Sequence, residues 1–313
     1  MIFIPVVSIF LYQLSNNVEN TEGVQLLKSH IFISFSFLLV IAKINLVTQL
    51  SVLLSLLSSI IIAISILTAI YPLLQLPIQL FGEKYGVLLS GTRFYSESVG
   101  LRQIYYVTSP MIVIPIVHYL HLAISHVKKS KYIILTIINF AGIFLAGTRS
   151  NMLGGILCLL IVFLISSRKK YFILFTASIG LFALIWVLGP EINQVFSLTE
   201  KSNSIKLGLL KEYSTIFNNP KTLFFGQGLG SYHYWEIKGF SAFITELSYL
   251  EIIRTLGLLL GLPMLGLIFF PIIYNYYSHR LFSNKIIIVA YVVYLGMAAL
   301  NPLIFSSLGM TII

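Results

Sequence analysis

Arginines and glutamates stand at the ends of apolar stretches in this chain. Arg149 lies between two apolar runs, in the stretch GTRSN at 147–151. A guanidinium at the edge of a hydrocarbon core is costly unless it faces protein, water or an anion. Two interpretations are open, a snorkelling arginine at a helix end and an anion site. The polar segments described next favour the anion site.

The segment TELSYLEIIRTLGLLLGL at 245–262 brings carboxylates and a cation together. Glu251 and Arg254 are three residues apart and can pair on one helix face. Glu246 is eight residues from Arg254 and would lie near that face. The pattern is typical of an ordinary ion pair on a helix surface, and also of a carboxylate that an arginine positions for proton transfer. Glu246 is the first candidate for that carboxylate and Glu251 is the second.

The segment GTRFYSESVGLRQIYY at 91–106 adds two further cations, Arg93 and Arg102, among several tyrosines. One interpretation is an interfacial belt of aromatic residues with solvated charges. The other is a substrate-binding group in which the cations and aromatic rings lie over the outer mouth of the membrane domain. The sequence leaves both open.

The segment NNPKTLFFGQGLGSYHYWE at 218–236 combines glycines with aromatic residues. GQGLG is a weak match to a nucleotide-binding loop, because no strand–turn–helix unit surrounds it. Its glycines would still let backbone N–H groups approach a ligand. Gln227, Tyr232, His233 and Trp235 place polar groups beside aromatic faces, which suits a sugar ring. Exposed aromatic loops also dock on membranes, and both interpretations stay open.

The composition indicates what kind of scaffold must position these residues. Of the 313 residues, 58% are hydrophobic and 10% are charged, and the mean hydropathy is +0.94. A soluble domain carries about 25% charged residues, so the sequence predicts an integral membrane protein. Apolar runs of about 20 residues match membrane-spanning helices, and the alternating pattern of barrel strands is absent.

We therefore predict an all-α polytopic membrane protein that forms a single transmembrane domain over 1–313. About nine transmembrane helices are expected, at 2–14, 28–43, 46–70, 105–125, 132–147, 152–166, 171–189, 246–277 and 286–307. A first outer loop at 71–104 and a large outer loop at 190–245 hold most of the polar aromatic residues and acids. The large loop precedes a membrane helix.

Basic clusters set the predicted orientation. KKSK at 128–131, SRKK at 167–170 and residues 279–285 fall in alternate short loops, and the positive-inside rule places such loops in the cytoplasm. A helix from Lys131 to Arg149 rises about 27 Å, close to the roughly 30 Å of a hydrocarbon core, so Arg149 is expected at the outer edge. Topology and anionic lipid explain the net charge of +10, so no nucleic-acid partner is expected.

The acidic residues limit the metal chemistry. All ten are glutamates, and the absence of aspartate excludes a DxD-type metal–nucleotide site and argues against an EF-hand. The single cysteine, Cys158, lies in an apolar run and is expected to pack there. We therefore expect no metal and no cofactor.

Three segments in order carry a resemblance. GTRSNMLGG at a helical hairpin, NNPKTLFFGQGLGS in a long outer loop and TELSYLEIIRTLGLLLG at the entry to a span resemble the O-antigen polymerase and ligase superfamily. The resemblance covers about 90–265. Members are polytopic enzymes of bacterial surface-polysaccharide assembly. The Wzy-like polymerase joins oligosaccharide repeat units carried on undecaprenyl pyrophosphate, at the outer face of the cytoplasmic (inner) membrane.

The resemblance implies a metal-independent glycosyltransferase with a lipid-linked donor, which produces an O-antigen of lipopolysaccharide or a capsule. Arg149 matches the arginine of the GTRS-type motif, and Arg254 matches a cation near the end of the large loop. Both would surround the donor diphosphate, together with Arg93 or Arg102. A glutamate of 245–262 would take the proton of the acceptor hydroxyl. Membrane lipids, a flippase and a chain-length regulator are the further partners that the resemblance implies.

Other functions remain as alternatives. Ligases of this superfamily usually carry a histidine near the start of the helix after the large loop. This chain has Thr245 and Glu246 there, which favours the polymerase over the O-antigen ligase. A transporter or flippase of lipid-linked oligosaccharide is the third candidate, because Gly261, Pro263 and Pro271 interrupt one predicted span. A scaffold role does not explain the positions of the arginines.

Overall fold

The computed structural model covers the segments that form the helices and most of the large outer loop. It describes residues 3–16, 21–24, 26–27, 47–74, 76–78, 80, 88–90, 103–105, 109–125, 129–146, 149–166, 201–278, 285–301 and 304. The predicted spans at 28–43 and 171–189 lie outside the described residues, as do Arg93 and Arg102. The two spans and the binding roles of Arg93 and Arg102 therefore stay predictions.

Two compact units make up the chain. The first, here called the loop unit, contains Met1–Lys43, Phe175–Leu281 and Ala298–Ile313. The second, here called the bundle unit, contains Ile44–Leu174 and Phe282–Met297. A single transmembrane domain over 1–313 stays a prediction.

The described elements are mostly helical, which confirms that part of the predicted fold class. The α-helices are α1 (Phe3–Asn16), α2 (Val47–Ile70), α3 (Val113–Ser125), α4 (Lys129–Leu145), α5 (Arg149–Ser166), α6 (Lys201–Phe217), α7 (Pro220–Phe225), α8 (Ser248–Ser278) and α9 (Lys285–Ala298). Antiparallel strand pairs join β1 (Leu88–Ser90) to β2 (Gln103–Tyr105) and β3 (His233–Trp235) to β4 (Phe240–Ala242). The strand pairs were not predicted, because three-residue strands are too short to show an alternating pattern.

Helix α2 of the bundle unit turns its polar side inward. Apart from Leu54 and Ile61, its buried side chains carry hydroxyl groups: Ser51, Ser55, Ser58, Ser65 and Thr68. Its exposed side chains include Val52, Leu53, Leu56, Ile60, Ile66 and Leu67. A helix on the core of a water-soluble protein shows the reverse distribution. Small and hydroxyl-bearing residues at the contact face are typical of helices that pack in lipid.

The buried hydroxyl groups of α2 meet an asparagine on α4. Asn139 donates through Nδ2 to Ser55 Oγ at 2.7 Å and accepts from Ser58 Oγ at 3.1 Å. Gly142, one turn further along α4, lies so close to Ser58 that a Cβ there would be 2.6 Å from the serine Cβ. The two helices therefore approach closely over small residues and satisfy a buried amide between them.

Two helices of the described chain are long and apolar enough to cross a membrane, Val47–Ile70 and Ser248–Tyr274 within α8. Shorter apolar helices occupy Ser109–Ser125, Ser130–Leu145, Arg149–Ile165 and Ile287–Ala298. The helical architecture and these two candidate spans agree with the prediction. The nine-span topology stays a prediction.

The predicted large outer loop at 190–245 contains folded elements, namely α6, α7 and the β3–β4 hairpin. One face of α6 places Leu209, Tyr213 and Ile216 in a small core with Trp235 and Leu247. Their spacing of four and three residues is that of a helix face. Helix α7 then starts with the Asn219 side chain accepting from the Lys221 N–H at 3.0 Å, an ordinary N-cap.

Helix α8 is broken at Gly257, whose φ of 67° and ψ of 177° are not helical. The break leaves the carbonyl oxygens of Arg254 and Thr255 without their usual helical partners. The N–H groups of Gln227 and Gly228 donate to these two oxygens at 2.7 and 2.9 Å. These two backbone hydrogen bonds therefore hold the loop after α7 against the break in α8.

Candidate functional site

A fully buried ion pair lies in the first part of α8, before the break. Arg254 Nη2 is 2.5 Å from Glu251 Oε1, and both side chains are 0% exposed. Arg254 Nε also lies 3.1 Å from each carboxylate oxygen. The sequence spacing suggested this pair, and the structure contains it. Its complete burial distinguishes it from an ordinary surface ion pair.

The rest of the Arg254 guanidinium holds the loop and the hairpin. Nη1 donates to Gln227 Oε1 at 2.6 Å and to Ser231 Oγ at 3.1 Å. Nη2 donates to the carbonyl oxygens of Ser231 at 3.1 Å and Phe243 at 3.2 Å. A guanidinium has five N–H groups, and the described contacts supply acceptors for all of them. Arg254 could contact a bound anion only by giving up some of these bonds.

Tyr213 and Thr245 complete the surroundings of Glu251. The Tyr213 hydroxyl donates to Glu251 Oε2 and lies 2.5 Å from Thr245 Oγ1. Thr245 Oγ1 also lies 3.4 Å from the same carboxylate oxygen. Burial raises the pKa of the Tyr213 phenol well above its ordinary value, and the negative charge of Glu251 raises it further. Tyr213 therefore stays protonated and acts as a donor.

These contacts define one group of mostly buried residues, called here the Arg254 network. It consists of Tyr213, Gln227, Ser231, Thr245, Glu251 and Arg254. The network joins α6, the loop after α7, the segment after β4 and α8. Sequence analysis missed Tyr213. The only available signal was its place on the apolar face of α6, which predicts packing and does not indicate a polar partner.

Aromatic rings pack against one side of the Arg254 network. The Trp235 ring centroid is 5.8 Å from Arg254 Cζ, within the range of a cation–π contact. Trp235 is 0% exposed, so the structure places this predicted substrate-binding residue in the core. The half-buried His233 ring lies 4.7 Å from it. Burial lowers the pKa of His233, and the Arg254 charge lowers it further, so the imidazole is neutral at pH 7.

Tyr232 and Glu246 are two predicted site residues of the loop unit whose polar groups remain accessible. Tyr232 is 53% exposed and donates to Glu22 Oε1 at 3.1 Å. Glu246 is half-buried, and no hydrogen bond or ion pair reaches its carboxylate from the described residues. On one side Thr245 is bound to the network, and on the other Leu247 is buried in the core. Glu246 is therefore an open carboxylate on an anchored segment.

The N–H groups at the start of the glycine-rich loop that follows α7 are not available to a ligand. Besides the bonds of Gln227 and Gly228 to α8, the Leu229 N–H donates to Ser8 Oγ at 3.0 Å. The Ser231 N–H donates to the Gly228 carbonyl at 3.2 Å. These four groups are used within the protein. Gly226 is required instead by close packing, since a Cβ there would overlap Gly257 N and Thr255 O.

Arg149 belongs to the bundle unit, where it is half-buried at the first residue of α5. A cation in the first turn opposes the helix dipole, so helix stability does not explain it. Near it, Asn151 Nδ2 donates to Ser109 Oγ at 2.9 Å in a buried contact. The predicted convergence of Arg149 and Arg254 on one anion stays a prediction.

The described residues contain no group of three or more His, Cys or Glu side chains that could hold a metal ion. No protein-family model, curated protein or solved structure matches this chain. The residues of the site and the ordered motifs of the sequence are therefore what indicates a function.

Proposed function

We propose that this chain is a multi-pass membrane glycosyltransferase that polymerises lipid-linked oligosaccharide repeat units. The observation that carries the proposal is the arrangement at the start of α8, where the open carboxylate of Glu246 adjoins the fully buried ion pair of the Arg254 network. The substrate class, an oligosaccharide on undecaprenyl pyrophosphate, comes from the ordered resemblance to O-antigen polymerases. The product would be an O-antigen or a capsule, made at the outer face of the cytoplasmic membrane.

The membrane setting is supported by the distribution of side chains on α2. Its buried hydroxyl groups and exposed aliphatic groups suit a lipid solvent. The candidate span within α8 begins with the residues of the site and continues as an apolar helix beyond Gly257. A site at one end of a span can reach a lipid-linked substrate and water together.

The reaction that we propose is one displacement at the anomeric carbon of the donor. The acceptor sugar hydroxyl attacks this carbon, and Glu246 takes the hydroxyl proton. The bond from the anomeric carbon to the diphosphate oxygen breaks, and the lipid diphosphate leaves with the electron pair. By the resemblance, Arg149 is the residue that would stabilise the charge developing on the diphosphate, through the paired N–H groups that suit phosphate oxygens. The configuration at the anomeric carbon is inverted.

In this proposal Glu251 and Arg254 are positioning residues. Their mutual burial and their internal partners leave Glu246 as the accessible carboxylate of this segment. The structure therefore supports the first of the two candidate bases over the second.

Glycan ladders in cells test the assignment of roles at matched protein levels. Arg149→Ala is expected to abolish long ladders, and Arg149→Lys to shorten them, because lysine keeps the charge but loses the planar fork. Glu246→Gln is expected to abolish ladders from correctly folded protein. Unchanged ladders in both Arg149→Ala and Glu246→Gln would refute the proposed chemistry.

A further inference from the structure

Gln227 is held to Arg254 at two points. Its backbone N–H donates to the Arg254 carbonyl oxygen at 2.7 Å. Its side-chain Oε1 accepts from Arg254 Nη1 at 2.6 Å. The first contact fixes the backbone of the loop against the break in α8, and the second fixes the side chain. The amide of Gln227 therefore has a set orientation.

The chemistry of the guanidinium decides which end of the amide faces it. A guanidinium has donors and no acceptor, so the atom that Arg254 Nη1 contacts must be the amide oxygen. The Nε2 group of Gln227 then points away from Arg254. Gln227 is half-buried, and no acceptor for Nε2 appears among the described residues. Two N–H donors are thus directed out of the network.

The orientation of the ion pair increases the strength of these donors. Glu251 contacts Nε and Nη2 of Arg254, whereas Nη1 is turned to Gln227 and Ser231. The positive end of the buried pair therefore faces the amide oxygen. A hydrogen bond from a cation to this oxygen polarises the amide and makes its N–H groups better donors.

We infer that Gln227 presents its side-chain amide to a phosphate oxygen of the ligand, and that Arg254 acts on this ligand through Gln227. Naming that oxygen as part of a lipid diphosphate rests on the proposed function. The backbone N–H groups of Gln227, Gly228, Leu229 and Ser231 already have partners within the protein. The side-chain amide is a donor of this loop for which the described residues supply no acceptor.

The test uses a substitution that separates the tie to Arg254 from the outward donor. Gln227→Glu keeps an oxygen for Arg254 and at neutral pH has no N–H group to present. Asn219→Asp is the matched control, since it makes the same change from amide to carboxylate nearby and an aspartate caps α7 as well as asparagine does. The probe is inorganic pyrophosphate, titrated by calorimetry onto the full chain in nanodiscs at physiological salt.

Gln227→Glu is expected to bind pyrophosphate about 10- to 100-fold more weakly than the wild type, the effect of losing a hydrogen bond to a charged group. Asn219→Asp is expected to bind it within about threefold of the wild type, because surface charges are screened. Both variants should unfold within a few degrees of the wild type. Equal binding by Gln227→Glu and the wild type, or no binding by the wild type, would overturn the inference.

A polymerisation assay on the same samples keeps this inference distinct from the proposed function. Weakened pyrophosphate binding in Gln227→Glu, together with no polymerisation by the wild type, would support the role of Gln227 and reject the polymerase. Polymerisation by the wild type that Gln227→Glu retains in full would reject the role of Gln227 and leave the polymerase standing.

Discussion

At the residue scale, the central feature is an arginine that is buried and completely hydrogen-bonded. Arg254 and Glu251 are removed from water together, and they are satisfied by each other and by groups from three further segments of the loop unit. Such a pair is costly to break, because the remaining partner would be a buried charge. The pair therefore stabilises one arrangement of the loop around α8 and disfavours others.

Removing one partner of this pair should destabilise the loop unit strongly. We expect Arg254→Ala and Glu251→Ala each to lower the free energy of unfolding by about 3–5 kcal/mol, as measured by chemical unfolding in detergent. Lys211→Ala, an exposed charge on α6, should change it by less than about 0.5 kcal/mol. Losses below about 1 kcal/mol for both network variants would contradict the buried network.

His233 gives a prediction about pH. Its pKa is lowered from the ordinary 6.5 by burial and by Arg254, so the unfolded chain takes up a proton more readily than the folded chain. The stability contributed by this group is present above pH 6.5 and is lost as the pH falls through the lowered pKa. Between pH 7.5 and 5.5 the wild type should lose more thermal stability than His233→Gln, as followed by melting temperature. An equal loss in both proteins would contradict this account of His233.

The sequence indicates some of these residues and not others. The spacing of Glu251 and Arg254 was sufficient to suggest a pair, because helix periodicity fixes which residues are neighbours. It could not reveal that Tyr213, which is 38 residues before Glu251, donates to the same carboxylate. Nor could it distinguish the buried Trp235 from the exposed Tyr232. Both facts depend on the packing of α6 and the hairpin against α8.

At the element scale, the break in α8 controls where the loop can lie. Gly257 and Gly226 bring two backbones into contact, and a Cβ on either would overlap backbone atoms of the other segment. The sequence suggested one helix over 246–277. A glycine within a helical pattern lowers helix propensity but does not show that the residue has a positive φ. The break at Gly257 could therefore not be predicted from the sequence and is seen only in the structure.

Substituting Gly257 separates backbone strain from backbone overlap. Gly257→Ala should destabilise the loop unit by more than about 3 kcal/mol, because a positive φ adds roughly 1–3 kcal/mol of strain to the overlap. Gly239→Ala has a similar φ of 72° with open space around it, so only the strain should appear. Chemical unfolding of both variants measures the difference. Equal effects at the two sites would show that the contact between Gly257 and Gly226 is unimportant.

At the scale of the whole molecule, composition was the most informative part of the sequence. A charged fraction of 10% and long apolar runs predicted a mainly helical membrane protein, and the described fold is mostly helical with two candidate spans. Hydropathy could not predict that 201–225 folds as α6 and α7. The first of these helices is weakly apolar, and its buried side chains form a core with Trp235 and Leu247, which lie later in the chain.

The predicted orientation can be tested by labelling introduced cysteines in intact cells. Cys158 is the single cysteine of the sequence. In a Cys158→Ser background, each introduced cysteine is therefore the one thiol of the protein. Tyr234→Cys, on the exposed hairpin, should react with a membrane-impermeant maleimide from outside. Ser130→Cys, in the basic cluster, should react only after the cells are opened. The opposite pattern would place the candidate site on the cytoplasmic side and contradict the predicted topology.

The proposed activity is the formation of glycosidic bonds from a lipid-linked donor. The reconstituted protein is incubated with purified undecaprenyl-pyrophosphate-linked repeat units and lipid A core, without nucleotide sugar. Mass spectrometry of the products detects new bonds, and accessibility of the donor on each side of the bilayer detects its movement. We expect products that contain two or more repeat units on one lipid, formed by the wild type and absent with Glu246→Gln. Transfer only to lipid A core would indicate a ligase. Movement of the donor across the bilayer without a new bond would indicate a flippase, and either result would refute the proposed polymerase.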